Sequence, residues 1–346
     1  MKRKNVALAL SSGGPRGFAY IGAIEELERR GYRIHSVAGS SIGSLVGGVY
    51  AAGRLTEFKE WLFALDGWKV FSLMDLSMSK NHFVKGEKII AAMMEVVPDV
   101  DIETLPIAYR AVATDLYTGE EVLFDRGKLF TAIRASISIP SLFRPVPHGL
   151  TTLIDGFIAN CLPLDRVVRE EGDLLVAFDV NDINVERIRE TLSREQRALQ
   201  RDEDFEQRKR AEIRAVWDEA QAMADSTFVE RVKFVGANAL PLLREWWNYN
   251  EEYDEDTAMI YGGSYYNLID RSFSLMNHRQ TELSIALHKP DVVARMPFDA
   301  YGDLADYAKA EEISELGRRL MAEALDRYEE QRGKSEEERG ELKVES

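Results

Sequence analysis

Ile34-His35-Ser36-Val37-Ala38-Gly39-Ser40-Ser41-Ile42-Gly43-Ser44-Leu45-Val46-Gly47-Gly48-Val49-Tyr50-Ala51-Ala52-Gly53 reads as a strand, a tight turn and a helix in succession. Ile34 to Ala38 is short and rich in apolar residues, Gly39 to Gly43 crowds small residues together, and Ser44 to Ala52 is a small-residue helix ended by Gly53 in the usual C-terminal place. The turn fits G-x-S-x-G, where a sharp reversal lifts the middle serine out and only small neighbours avoid a clash. Ser41 is therefore the candidate nucleophile, and Gly39 and Gly43 support its turn. The pattern alone is common in unrelated turns, so the strand before it and the helix after it carry the inference.

A similar unit precedes it. Asn5 to Leu10 is a strand candidate, Ser11 to Gly17 a Gly-rich turn, and Phe18 to Arg30 a helix with Ile21, Ile24 and Leu27 at helical spacing. Two consecutive strand-turn-helix units predict a parallel sheet with right-handed crossovers and helices on its faces. The sheet is expected to continue through Ile107 to Thr114, Glu121 to Phe124, Thr152 to Ile154 and Leu174 to Asp179.

The loop Ser12-Gly13-Gly14-Pro15-Arg16-Gly17 opens a helix, so free N–H groups and the positive helix end are offered to a negative oxygen. Pro15 has no N–H, which leaves Gly13, Gly14 and Arg16 as candidate oxyanion donors, with Gly17 supporting the loop. The same loop approximates a nucleotide-phosphate turn. A dinucleotide site would want an acidic residue near the end of the second strand, and that strand runs into Gly39 and Ser41 instead. Leu153-Ile154-Asp155-Gly156 sets a carboxylate at the end of a short apolar strand, followed by a glycine that turns the chain. Asp-Gly is by itself most often an ordinary turn. At the C-terminal edge of a parallel sheet, however, it would share the edge where Ser41 is expected.

In this order the elements resemble the patatin-like phospholipase family. The resemblance rests on Leu10 to Gly17, Ala38 to Gly43, Ala113-Thr114-Asp115, Arg134-Ala135-Ser136-Ile137-Ser138-Ile139-Pro140 and Asp155-Gly156. It implies a three-layer α/β/α fold with a mainly parallel central sheet. It also implies a catalytic dyad without histidine, whose roles map to Ser41 and Asp155, with Gly156 supporting the second. Two positions depart from the family pattern: Ser12 stands where many members have glycine, and Phe157 where a small residue is usual. The implied substrate is a lipid or ester with an acyl chain, and the chemistry calls for no metal and no cofactor.

The remaining chain sets bounds. With 346 residues and 45% apolar content, a sizeable core is available. The 44 basic residues against 59 acidic ones, a formal charge of -15, argue against a nucleic-acid partner. Local patches could still dock on lipid. Cys161 cannot pair within the chain and, set among apolar residues, reads as a buried thiol rather than a reactive one. The basic start followed by a short apolar run reads as a first strand rather than a leader, and no run approaches a membrane span. The expected location is cytoplasmic, with peripheral membrane contact left open; the sequence favours no oligomeric state.

The expected organisation is a core over 5–183, a mostly helical insertion or cap over 184–262, the core's C-terminal part over 263–328, and a charged, disordered tail over 329–346. The insertion is proposed to bear on lipid access to Ser41, and its Leu240, Leu242, Leu243, Trp246 and Trp247 are open to three readings: anchors of the cap to the core, which is favoured, lipid contacts, or an oligomer interface. Two rival readings are a Ser-His-Asp hydrolase drawing its base from His278 or His288, and a noncatalytic scaffold for lipid or protein. The first needs more strands before the elbow than are present. The second predicts a damaged motif, and none is damaged.

Overall fold

The computed structural model describes residues 4–65, 82–223, 265–301 and 304–344, with the short stretches 69, 72–73, 227, 230, 233–235 and 237–242. Its strands are β1 (Asn5–Leu10), β2 (Arg33–Ser40), β3 (His82–Val84), β4 (Ala108–Asp115), β5 (Glu121–Phe124), β6 (Ser141–Phe143), β7 (Val146–His148), β8 (Thr151–Asp155), β9 (Leu174–Asp182) and β10 (Val292–Pro297). Its longer helices are α1 (Ala19–Arg29), α2 (Ile42–Ala51), α3 (Leu55–Phe63), α4 (Glu87–Val96), α5 (Leu129–Ser136), α6 (Val185–Ala222), α7 (Tyr265–His288) and α8 (Ala310–Val344). Every segment expected to be a strand is one.

Eight strands share a sheet in the order β10-β9-β1-β2-β4-β8-β7, with β5 paired to β4 off this path. The pairs from β10 to β4 are parallel, whereas β5, β8 and β7 enter antiparallel. The fold is thus a mixed, mostly parallel sheet flanked by helices. From Val6 to Leu10 the sequence of β1 is apolar without a break because the strand is covered on both faces. Val6, Leu8 and Leu10 join the larger core with Tyr20, Ile24 and Val46, while Ala7 and Ala9 face the other way, toward Leu162, Leu164 and Val167. Alanines on that second face let the Leu162–Val167 segment lie close to the sheet.

Three expectations need adjusting. Asp155 does not end a parallel strand: β8 runs against β4 and pairs Asp155 with Ala113, so it returns from beyond the edge that holds Ser41. The charged segment expected to fray is helical through Val344. Ile313, Met321 and Leu325 anchor α8 in the core, and the Glu, Arg, Lys and Leu that follow are good helix formers, although residues 331–334 are exposed. Finally, the chain divides into two compact units, 1–183 with 273–346 and Asn184–Ser272. The second ends later than the expected 262 because α7 begins inside it.

Among the described residues of that second unit the longest element is α6, whose sequence is charged along most of its length. Ala220 and Ala239 are among its buried residues. Leu243, Trp246 and Trp247, on which the lipid-access expectation mainly rested, lie outside the described residues. Among the described residues no helix is long and apolar enough to cross a membrane.

Candidate active site

Ser41 joins β2 to α2 with φ 52° and ψ -123°. A side-chain-bearing residue in such a conformation costs on the order of 1–3 kcal/mol and persists only where its surroundings hold it. Here the Ser41 amide donates to Ser136 Oγ at 2.9 Å, and the Ser44 hydroxyl and amide donate to the Ser41 carbonyl at 2.7 and 2.9 Å. The flanking glycines are required by close approach. A Cβ on Gly39 would lie 2.3 Å from the Gly43 backbone, and one on Gly43 would lie 2.4 Å from the Leu10 carbonyl oxygen. The end of β1, the elbow and the first turn of α2 therefore touch backbone to backbone.

The Ser41 hydroxyl donates to Asp155 Oδ2 at 2.6 Å, and among the described residues it has no other partner. Asp155 is fully buried. Burial pushes its carboxyl up to about 7, against the opposing pull of hydrogen bonds from Ser41 and from the Phe157 amide. That amide donates to Oδ1 at 3.0 Å, so one carboxylate oxygen is anchored by backbone and the other faces the serine. The Asp155 backbone is tied by its own amide to the Ser138 carbonyl at 3.0 Å and by the Thr114 hydroxyl to its carbonyl at 2.8 Å. Gly156 packs so closely that a Cβ there would lie 2.2 Å from the Val112 carbonyl oxygen.

The loop after β1 comes to the same edge, since Leu10 pairs with Gly39. Gly13 caps a 3-10 turn over Gly14–Phe18, with Pro15 in its first turn. Gly13, Gly14 and Arg16 therefore follow one another in this turn, and their amides remain the candidate oxyanion donors. The Arg16 side chain points away, donating to the carbonyls of Phe298 and, at 3.0 Å, Tyr301. Gly17 abuts Ile42, the residue after the serine. Next to the elbow, Ile42, Leu45, Phe18, Trp61, Met93 and Tyr307 help line an apolar cavity of about 90 Å³.

Three of the histidines have contacts away from Ser41 and Asp155. His35 pairs with Asp173 at 2.6 Å, His148 lies edge-on to Phe124, and His278 Nδ1 is 3.1 Å from the Asn181 carbonyl oxygen. Asp182, His278 and Glu282 bring potential metal-ligand atoms within 4.8 Å of one another. Arg295, however, pairs with both of those carboxylates, so a guanidinium already supplies the positive charge. Cys161 is buried against the Ser12 hydroxyl, and burial pushes its thiol up to about 12.

Ser136, Ser138 and Thr114 hold the site without having been singled out by the sequence reading. Their signal was the small polar residues in Arg134 to Pro140 and Ala113 to Asp115, stretches that carry the family resemblance without an assigned role.

Residues 8–168 match the family model described as Patatin-like phospholipase. An uncharacterized NTE family protein of Mycobacterium tuberculosis H37Rv is 48% identical over 176 residues, covering 51% of this chain and 49% of the relative. Lysophospholipase NTE1 of Debaryomyces hansenii is 27% identical over 192 residues, 53% of this chain but 12% of that protein. The matched chain thus spans about half the length of the mycobacterial relative. VipD from Legionella pneumophila is similar in structure at a TM-score of 0.37 and 12% identity, covering 94% of this chain and 67% of VipD, a likeness too loose to argue from.

Proposed function

Residues 8–168 being a patatin-like phospholipase domain, we propose that this chain is a serine acyl-hydrolase that cleaves ester-linked acyl chains through Ser41 and Asp155. The observation that carries the reading is the 2.6 Å hydrogen bond from Ser41 to a fully buried carboxylate. An aspartate in water is a weak base, with a reference pKa of about 3.9. Raised toward 7 by burial, Asp155 is matched to proton transfer near neutral pH. The strained elbow and the bond to the Oδ2 oxygen hold the hydroxyl ready to lose its proton in the required direction.

In the first half-reaction the Ser41 oxygen forms a bond to the ester carbonyl carbon while its proton passes to Asp155 Oδ2. The carbonyl π electrons move to oxygen, and the amides of the Gly13-Gly14-Pro15-Arg16 loop receive the resulting charge. Collapse of the tetrahedral intermediate breaks the bond to the alcohol oxygen, which leaves with the proton held by Asp155. Water then repeats the sequence on the acyl-enzyme, giving its proton to Asp155, releasing the acid and restoring Ser41. The apolar cavity beside Ile42 accommodates part of the acyl chain.

The test is hydrolysis of p-nitrophenyl esters and lysophospholipids of graded acyl length, with Ser41→Ala as the blank. The proposal requires turnover on some member of the panel and its loss in the variant. Equal turnover by Ser41→Ala would reject it.

A further inference from the structure

Tyr307 lies outside the stretch matched by the family model, in a 3-10 turn over Leu304–Ala308. Its ring meets Phe18 edge-on, with centroids 5.8 Å apart and an interplanar angle of 79°, and the two help wall the apolar cavity beside Ile42. The hydroxyl, by contrast, faces the glycine loop: a Cβ on Gly14 would lie 3.6 Å from it. Among the described residues this phenol has no hydrogen-bond partner. Tyr307 is half-buried, so its hydroxyl, a donor at the mouth of a pocket, is available to whatever enters.

We propose that the Tyr307 hydroxyl is a further donor to the oxyanion, beside the amides of the Gly13-Gly14-Pro15-Arg16 loop. An oxyanion has three lone pairs, and a hydroxyl next to Gly14 can meet one that the backbone amides leave open. Burial pushes this phenol up to about 12, with Arg16 pulling it down and Asp155 pushing it up. It therefore stays protonated wherever the enzyme works. The ring needs no hydroxyl for its contact with Phe18, which separates catalysis from packing.

The inference rests on Ser41 being the nucleophile, and the test distinguishes the two. Tyr307→Phe keeps the ring and removes the donor. With a short-chain p-nitrophenyl ester, kcat is expected to fall by about a hundredfold while KM stays unchanged, the usual scale for one oxyanion donor. Binding of a trifluoromethyl ketone, whose tetrahedral adduct places an oxygen in the same position, weakens in parallel, and the melting temperature is unchanged. Parent-like kcat and ketone binding overturn the inference. A raised KM with unchanged kcat overturns it too, making the hydroxyl part of the chain pocket, and so does a collapse in melting temperature, which assigns it to stability. An active parent with an intact Tyr307→Phe leaves the function standing and removes only this residue, whereas a parent that hydrolyses no ester removes both.

Discussion

Two aspartates sit in similar places in this fold and do different things. Asp155 and Asp179 are each fully buried near the ends of sheet strands, and burial raises the pKa of both. Asp179 is enclosed by structural donors: the Asn181 amide at 2.9 Å and side chain at 3.3 Å, and the Thr281 hydroxyl at 3.2 Å. Asp155 has one backbone donor on one oxygen, while the other meets a serine held at positive φ on the adjacent elbow. Desolvation alone therefore does not identify a catalytic base. What separates the two is the partner: Ser41 sits on the elbow with its hydroxyl on Asp155 at 2.6 Å, whereas Asp179 meets the Asn181 amide and, at 3.2 Å, a Thr281 hydroxyl that is also within 2.9 Å of the His278 carbonyl oxygen.

The comparison can be broken first by activity, where the largest effect lies. Asp155→Asn keeps the shape and removes the base, and is expected to lower kcat by roughly 10³- to 10⁴-fold, as other losses of a base from a serine-hydrolase site do. Asp179→Asn in the same assay is expected to stay within a few-fold of the parent. Matching losses in the two variants would show that the pockets act as one network.

Stability provides a smaller and opposite contrast. The folded-state pKa of Asp155, about 7, lies above its unfolded value, so the folded chain binds this proton more tightly. The stability linked to it is complete below pH of about 4 and is lost as pH rises through about 7. Asp155→Asn cannot ionise. Relative to the parent it should gain stability between pH 5 and pH 8 on urea denaturation, by an amount on the order of 2–3 kcal/mol across that window. Asp179→Asn moves in the same direction. No pH-dependent difference between the Asn variant and the parent would mean that Asp155 is not raised.

How far the site was legible in the sequence follows from how local each part is. The elbow could be read because strand, turn and helix are contiguous and because only small residues fit where Gly39 and Gly43 meet other backbone. Asp155 is 114 positions from Ser41, and its partnership came through family resemblance. The direction of β8 was missed, since an apolar run ending in Asp-Gly reads identically in either orientation. Tyr307 carries no motif, and it reaches Gly14 only because the chain returns there after the second unit. The tail was misjudged by weighing its lack of anchors above its helix propensity.

The most direct test of the central claim is the rate at which a p-nitrophenyl alkylphosphonate modifies Ser41, followed by p-nitrophenol release from pH 5 to 9 and located by peptide mass. In the parent the rate should rise about tenfold per pH unit below 7 and level off above it, tracking ionisation of Asp155 at about 7. In Asp155→Asn it should be slow and lack that limb. A parent rate flat down to pH 5, an adduct on a residue other than Ser41, or an Asp155→Asn profile that keeps the limb would contradict the dyad.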